Sequence, residues 1–327
     1  MSSRKVNANG LAMHVEERGE GPLILLAHGF PETSHAWRHQ LAALAAAGFH
    51  AVAPDMRGYG ETESPSEINR YSTLDLVGDL VGLLDSLERE NAILVGNDWG
   101  STIAWQAALL RPDRFKGVVA IGVPMMDNPP VPPTTLFPET PDARFYLLHF
   151  QEPGVAEAEL ERDIEATLRK ILFAASRDAG PRQPGDDTPN PFSMVARDCG
   201  LLGPLPMPAR LPAWLSEADL ARYVAAFARS GFRGGLNYYR NLDANWNYQR
   251  ALAGLKVQVP ALYMVGEQDV GLSIPGMQEV IASMPRLVPE LRKSVTIADC
   301  GHWAPQEKPD EVTAAILDFA RSIHSGT

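Results

Sequence analysis

Residues 92–105 read Ala-Ile-Leu-Val-Gly-Asn-Asp-Trp-Gly-Ser-Thr-Ile-Ala-Trp. Ala92 to Val95 is a short continuous apolar run, the pattern of a strand buried on both faces. Gly96-Asn97-Asp98-Trp99-Gly100 interrupts it, and Ser101 to Leu110 then has helical spacing, closed by Arg111-Pro112. A strand, a turn with a small residue at each end and a helix form the setting of a nucleophile elbow, which holds its middle residue above the sheet. Glycine at 96 and 100 lets strand and helix approach closely. The middle residue is Asp98 instead of the usual serine, and a carboxylate nucleophile forms an ester with its substrate. The plainer reading of Asp98, an ordinary turn aspartate, has to be weighed against what the rest of the chain supplies.

Outward from the elbow, strand and helix signals alternate. Val6 to Glu17 reads as a hairpin around Asn9-Gly10, Pro22 to Ala27 as a buried strand and Trp37 to Ala47 as a helix stopped by Gly48. Phe49 to Ala53 reads as a strand, Tyr71 to Leu87 as a helix and Gly117 to Val123 as a strand. Alternation of this kind predicts a mostly parallel sheet flanked by helices. At Met126 it stops. Asn128 to Pro141 is a proline-dense connector, Val155 to Ala175 carries Leu160, Ile164, Leu168 and Leu172 on one stripe, and Ser176 to Pro212 is a long Pro/Gly/Asp-rich excursion. Ser216 to Ser230 is a helix with a capping start, and Gly235 to Gln249 is read as another. Strand signals return at Val259 to Val265 and Ser294 to Ala298, before a last helix over Pro309 to Ile323. The expected division is an α/β core from 1–125 and 251–327, with a helical cap, 126–250, inserted between strands.

The chain has 327 residues, 45% of them hydrophobic, which suits one large domain or a domain with an insert. Its 29 basic and 40 acidic residues give a net charge of −11, which argues against nucleic acid and anionic membrane as partners. No apolar stretch is long enough to span a bilayer, and the first ten residues lack the apolar core of a signal peptide. The two cysteines, Cys199 and Cys300, read as free thiols of a reducing compartment, so a cytoplasmic location is expected. Neither cysteine has a metal-site spacing and no HExxH occurs, so no metal and no cofactor is expected.

Two later strands end in candidate partners for Asp98. One leads into Gly266-Glu267-Gln268-Asp269, the other into Asp299-Cys300-Gly301-His302-Trp303. Ligands of open α/β sheets bind beyond the carboxyl ends of the strands. The order nucleophile, acid, histidine is that of the α/β-hydrolases. His302 suits the role of a base that takes a proton from water, with Asp269 fixing its tautomer. Singly, a loop histidine and a turn aspartate are common; three such residues at strand ends in this order are not. Glu267 is close by, and Asp269 is preferred because it lies deeper in the loop. The loop His28-Gly29-Phe30-Pro31 sits where this fold supplies an oxyanion donor. The donors are expected to be the backbone N–H groups of Phe30 and Trp99, with His28 only bracing the loop.

At this point the chain resembles the epoxide hydrolases of the α/β-hydrolase fold, and is similar to the hydrolase domain of the mammalian soluble enzymes. The motifs that carry the resemblance are His28-Gly29-Phe30-Pro31-Glu32, Asp55-Met56-Arg57-Gly58-Tyr59-Gly60, Asp98-Trp99-Gly100 and Asp299-Cys300-Gly301-His302-Trp303. Most are shared with haloalkane and haloacid dehalogenases. The cap is more telling. Phe145-Tyr146-Leu147-Leu148-His149-Phe150-Gln151-Glu152-Pro153-Gly154 and Ser230-Gly231-Phe232-Arg233-Gly234-Gly235-Leu236-Asn237-Tyr238-Tyr239-Arg240-Asn241 are similar to the family's two cap-tyrosine segments. The resemblance places Tyr146 and Tyr239 on the tyrosines that hydrogen-bond the epoxide oxygen. It implies substrate contacts from Phe30, Pro31, Trp99, Tyr146 and Tyr239. It departs at Asn97, where the family often has His, and at Ser101, where it has Gly. The mammalian enzyme's N-terminal phosphatase-like domain is not expected, because strand signals begin at Val6.

The expected activity is therefore conversion of an epoxide and water to a vicinal diol, through an ester on Asp98 hydrolysed with His302 and Asp269. The rival readings are a dehalogenase, which shares Asp98 and Trp99, and a non-catalytic small-molecule receptor on the same fold, which has no need of the Asp98, Asp269 and His302 set.

Overall fold

The computed structural model describes residues 2–180 and 190–324. Its main sheet contains β1 (Ser2–Ala8), β2 (Leu11–Arg18), β3 (Leu23–Ala27), β4 (His50–Pro54), β5 (Ala92–Asn97), β6 (Phe115–Ile121), β9 (Ala261–Gly266) and β10 (Leu291–Ile297). A separate two-stranded ribbon pairs β7 (Ala143–Phe145) with β8 (Met194–Ala196). The main sheet has the order β1-β2-β4-β3-β5-β6-β9-β10, and only β2 runs against its neighbours. The hairpin at its edge turns on Asn9 and Gly10, at φ 56° and 77°, the two consecutive left-handed residues such a turn requires.

The first helices are α1 (Arg38–Ala46), α2 (Thr73–Ser86) and α3 (Trp99–Leu110), and α12 (Pro309–His324) is the last. They cover the sheet on both faces, which is why β3 and β5 are buried at every position. Ile93 and Val95 of β5 join a core layer with Leu41 and Leu44 of α1 and Val312 and Ile316 of α12. Leu94 points the other way, into a layer with Leu80 and Leu83 of α2 and Ile103 of α3. The parallel strands β3, β5, β9 and β10 share a direction, so their carboxyl ends open on one edge, above which the site is built.

Between Ile121 and Ala261 the chain leaves the main sheet. This stretch holds α4 (Tyr146–His149), α5 (Val155–Leu160), α6 (Ile164–Ala174), α7 (Glu217–Ser230), α8 (Arg233–Arg240) and α9 (Leu242–Gln249). The single stripe expected over 155–175 is two helices, because Asp163 caps a fresh start by accepting from the Ala166 N–H. The helix expected over 235–249 likewise divides at Asn241, whose side chain donates to the carbonyls of Asn237 and Ile68. α7 begins with the capping box of Ser216 and Asp219 and stops at Gly231. In the excursion 176–212, residues 181–189 lie outside the described residues; the remainder includes β8. The ribbon β7–β8 went unread because three-residue strands are too short to show a period. α10 (Met277–Ser283) and α11 (Ala304–Glu307) lie in the last part of the chain. Among the described residues, no helix is long and apolar enough to cross a membrane.

Candidate active site

Asp98 occupies the turn between β5 and α3 at φ 54° and ψ −120°, a strained conformation for a residue with a side chain. Its N–H donates to the Ile121 carbonyl at 3.1 Å, and its own carbonyl accepts from Ser101 at 2.9 Å. The two glycines of the turn leave no room for alternatives. A Cβ on Gly96 would overlap the Gly100 carbonyl, and one on Gly100 would overlap the Ala27 carbonyl. The backbone therefore presents the Asp98 side chain beyond the strand ends.

The loop after β3 meets it there. The Phe30 N–H donates to Asp98 Oδ1 at 2.8 Å, and a Cβ on Gly29 would overlap the same carboxylate. His28 holds this loop: its Nδ1–H donates to the Gly29 carbonyl and its Nε2 accepts from the Met56 N–H, both at 2.9 Å. Burial pushes the His28 imidazole down, consistent with that neutral, bracing tautomer. The Trp99 N–H opens the first turn of α3, directly after Asp98.

The loops after β9 and β10 bring in the other two groups. His302 Nδ1 lies 2.9 and 3.0 Å from the two carboxylate oxygens of Asp269. Its Nε2 lies 3.4 Å from Asp98 Oδ2, a charge contact longer than an aligned hydrogen bond. Asp269 Oδ1 also accepts from the Gly271 N–H at 2.8 Å, which fixes the carboxylate. Glu267 faces elsewhere: its Oε2 accepts from the Asp299 N–H at 3.0 Å. Burial alone would lower the His302 pKa, but the combined attraction of Asp269 and Asp98 carries it well above the ordinary value.

Tyr146 begins α4 and Tyr239 lies in α8, with ring centroids 6.1 Å apart. Tyr239 packs edge-on to Trp99 at 5.1 Å and to Phe30 at 5.7 Å. Burial first, and the Asp98 charge second, push both hydroxyls well above the usual phenol range, so both stay protonated. The adjacent Tyr238 has another task. Its hydroxyl donates to the Arg57 carbonyl at 2.9 Å and pins α8 to the core, which fixes Tyr239.

Three residues near the site escaped sequence reasoning. Glu32 is fully buried and accepts from Gln306 Nε2 at 2.8 Å and Asn97 Nδ2 at 3.3 Å; burial pushes its carboxyl up to about 7. Its position in His28-Gly29-Phe30-Pro31-Glu32 was visible, but a loop acid carries no mark of burial. Phe150 and Phe192 pack on Tyr146 at 5.7 and 5.4 Å, and Phe192 also meets the His302 ring at 5.0 Å. Phe192 follows an aperiodic stretch that gives no direction to a side chain. Of the two departures from the family pattern, Asn97 bonds Glu32, and the Ser101 hydroxyl donates to the Val123 carbonyl at 2.6 Å.

Residues 22–170 match the family model described as the alpha/beta hydrolase fold. The chain is 43% identical to Epoxide hydrolase A of Mycobacterium tuberculosis (strain ATCC 25618 / H37Rv), over 98% of both chains. It is 38% identical to Bifunctional epoxide hydrolase 2 of Sus scrofa, over 95% of this chain and 53% of that one. An epoxide hydrolase from an endophytic Streptomyces superposes with a TM-score of 0.93 at 39% identity, covering 99% of this chain and 96% of that one.

Proposed function

This chain belongs to the epoxide hydrolases of the α/β-hydrolase fold, hydrolases that act on ether bonds, and we propose that it opens its epoxide through an ester on Asp98. The observation that carries this reading is the convergence of two groups on one carboxylate. The Phe30 N–H meets Oδ1 at 2.8 Å, and His302 Nε2 stands 3.4 Å from Oδ2.

In the proposed first step an Asp98 oxygen attacks an epoxide carbon and the ring C–O bond breaks. The electron pair goes to the ring oxygen, which takes a proton from Tyr146 or Tyr239 while the other hydroxyl donates a hydrogen bond. The segment 126–250 acts as the lid that carries both tyrosines over the nucleophile. Phe30, Pro31 and Trp99 line the substrate side of the core.

In the second step neutral His302 takes a proton from water, and the hydroxide adds to the ester carbonyl carbon. The oxyanion that forms is held by the N–H groups of Phe30 and Trp99. Collapse breaks the acyl–oxygen bond, and the departing diol oxygen takes the proton from His302, whose cationic form Asp269 had stabilised. The proton left on the regenerated Asp98 carboxyl replaces the one that the tyrosine gave. Epoxide and water thus become a vicinal diol, with this small molecule and water as the only reactants. The free thiols Cys199 and Cys300 support placing the chain in the cytoplasm.

A single turnover in water labelled with heavy oxygen tests the ester. Both oxygens of the diol should be light, one from the epoxide and one from Asp98, while the peptide bearing Asp98 gains one heavy oxygen. Heavy oxygen in the first-turnover diol would mean direct attack by water and would sink the ester.

The electrostatics also set a pH dependence. In the resting protein Asp98 helps hold His302 protonated. Esterification removes that negative charge, so the His302 pKa must fall in the intermediate. Hydrolysis requires the neutral imidazole, so its rate falls as pH drops through this lowered value. The midpoint of ester decay against pH should lie below the midpoint of His302 titration in the free enzyme, followed by NMR. Coincident midpoints would mean that Asp98 does not govern the histidine.

A further inference from the structure

Glu307 ends the short helix α11, five residues after the catalytic histidine. Its carboxylate accepts three backbone hydrogen bonds. Trp303 N–H donates to Oε1, and Gly301 N–H and Arg177 N–H donate to Oε2, each at 2.9 Å. Two of these donors flank His302. The third, Arg177, belongs to the turn that follows α6 and lies against the histidine loop. Charge-assisted bonds of this kind are the strong ones.

Further ties join the same two segments. The His302 N–H donates to the Ala175 carbonyl at 3.0 Å, and the Trp303 indole N–H donates to the Leu172 carbonyl at 2.8 Å. The Arg177 guanidinium pairs with Asp299, where the histidine loop begins. A Cβ on Gly301 would overlap the Arg177 nitrogen, so only glycine lets the segments lie this close. The imidazole itself meets Asp269 through Nδ1. Asp269 sets its tautomer, while the ring's place along the loop is set by backbone that Glu307 holds.

We propose that Glu307 is a positioning residue for the hydrolysis half-reaction, clamping the histidine loop to the end of α6 so that His302 Nε2 is presented to the ester. This rests on the ester mechanism above. His302 transfers no proton in the opening of the epoxide ring, so a clamp on its loop matters to ester hydrolysis and not to ester formation. Glutamine at 307 keeps the shape but presents an NH₂ to at least one of the three N–H donors, and that loop segment is released. A misplacement of about 1 Å costs about 10²-fold in rate.

The test is rapid-quench intact-mass spectrometry of the full chain with styrene oxide as probe. In Glu307→Gln, ester decay should slow by about 10²-fold, while ester formation stays within about twofold of wild type. The ester should then accumulate in a variant whose nucleophile, base and acid are intact. Equal slowing of both steps, or no slowing of either, would overturn the proposal. Glu307→Asp keeps the charge with a shorter reach and should be slowed in the same step by less. If Glu307→Gln fails to fold, Glu307→Asp is read by the same criteria. His302→Gln run in parallel separates the two levels of failure. An Asp98 ester there, with none accumulating in the Glu307 variants, removes only the clamp. No Asp98 ester in either removes the mechanism and the clamp with it.

Discussion

Asp269→Asn is expected to fold, to form the ester and to stop there, with turnover reduced by about 10⁴-fold, as in other triads that lose their acid. The carboxylate receives the Nδ1–H of His302 at 2.9 Å, so that once the ring is neutral in the ester intermediate its Nε2 is bare toward residue 98. An asparagine can turn its NH₂ toward Nδ1 instead. The ring proton then sits on Nε2, and no base faces the ester. The charge that stabilises the imidazolium is lost as well. His302→Gln should arrest at the same point, and both variants should show the mass of protein plus one epoxide after mixing. The adduct should map to the peptide that contains Asp98, and Asp98→Asn tested promptly should show none. Glu267→Gln should do much less, since its side-chain oxygen can still accept from the Asp299 N–H. If Glu267→Gln proves the crippled variant, the assignment of the acid is wrong.

The double variant Tyr146→Phe/Tyr239→Phe is expected to be nearly inert at the earlier step. A halide leaves as a weak base, whereas the epoxide oxygen leaves as an alkoxide and needs an O–H donor. Both hydroxyls are held protonated by burial and by the Asp98 charge. When Asp98 attacks, its charge is spent in the new bond, and giving up a tyrosine proton becomes easier at the moment it is needed. Either single variant keeps one donor and should retain part of the rate. The double variant should lose ester formation by a factor near the upper end of general-acid effects, about 10⁴-fold. Single-turnover kinetics resolve the two steps. Wild-type alkylation of the double variant would sink the role of the tyrosines. Chloride release from chloroalkanes rivalling diol formation would mean that the same site also serves halides.

These groups differ in how plainly the chain announced them. Asp98 was legible because an elbow is local: five residues between a buried strand and a helix determine it, and its glycines are indispensable in the packed structure. The carboxyl ends of β9 and β10 were legible for the same reason, as apolar runs that break into polar loops. That Asp269 and not Glu267 meets His302 depends on how two loops cross in space, and chain order alone expresses only a preference. The tyrosines lie in segments without strong periodicity, and only likeness to known cap motifs marked them. Glu32 and Glu307 were invisible as site elements, because their importance lies in backbone N–H groups and buried amides brought together by folding. The breaks at Asp163 and Asn241 were missed because each residue forms a local cap or side-chain bond that competes with a helix whose apolar spacing continues beyond it.

The bond from the Phe30 N–H to Asp98 Oδ1 makes two chemically equivalent atoms unequal. The oxygen held by the N–H is the one suited to become the ester carbonyl, and Oδ2 is left free to form the bond to carbon. Each cycle would then hand Oδ2 to the diol and replace it from water, while Oδ1 is kept throughout. The carboxylate would carry a record of its own history: after many turnovers in labelled water, Asp98 should hold one heavy oxygen and one that is as old as the polypeptide. A second label appearing at the rate of turnover would mean that the carboxylate rotates between cycles.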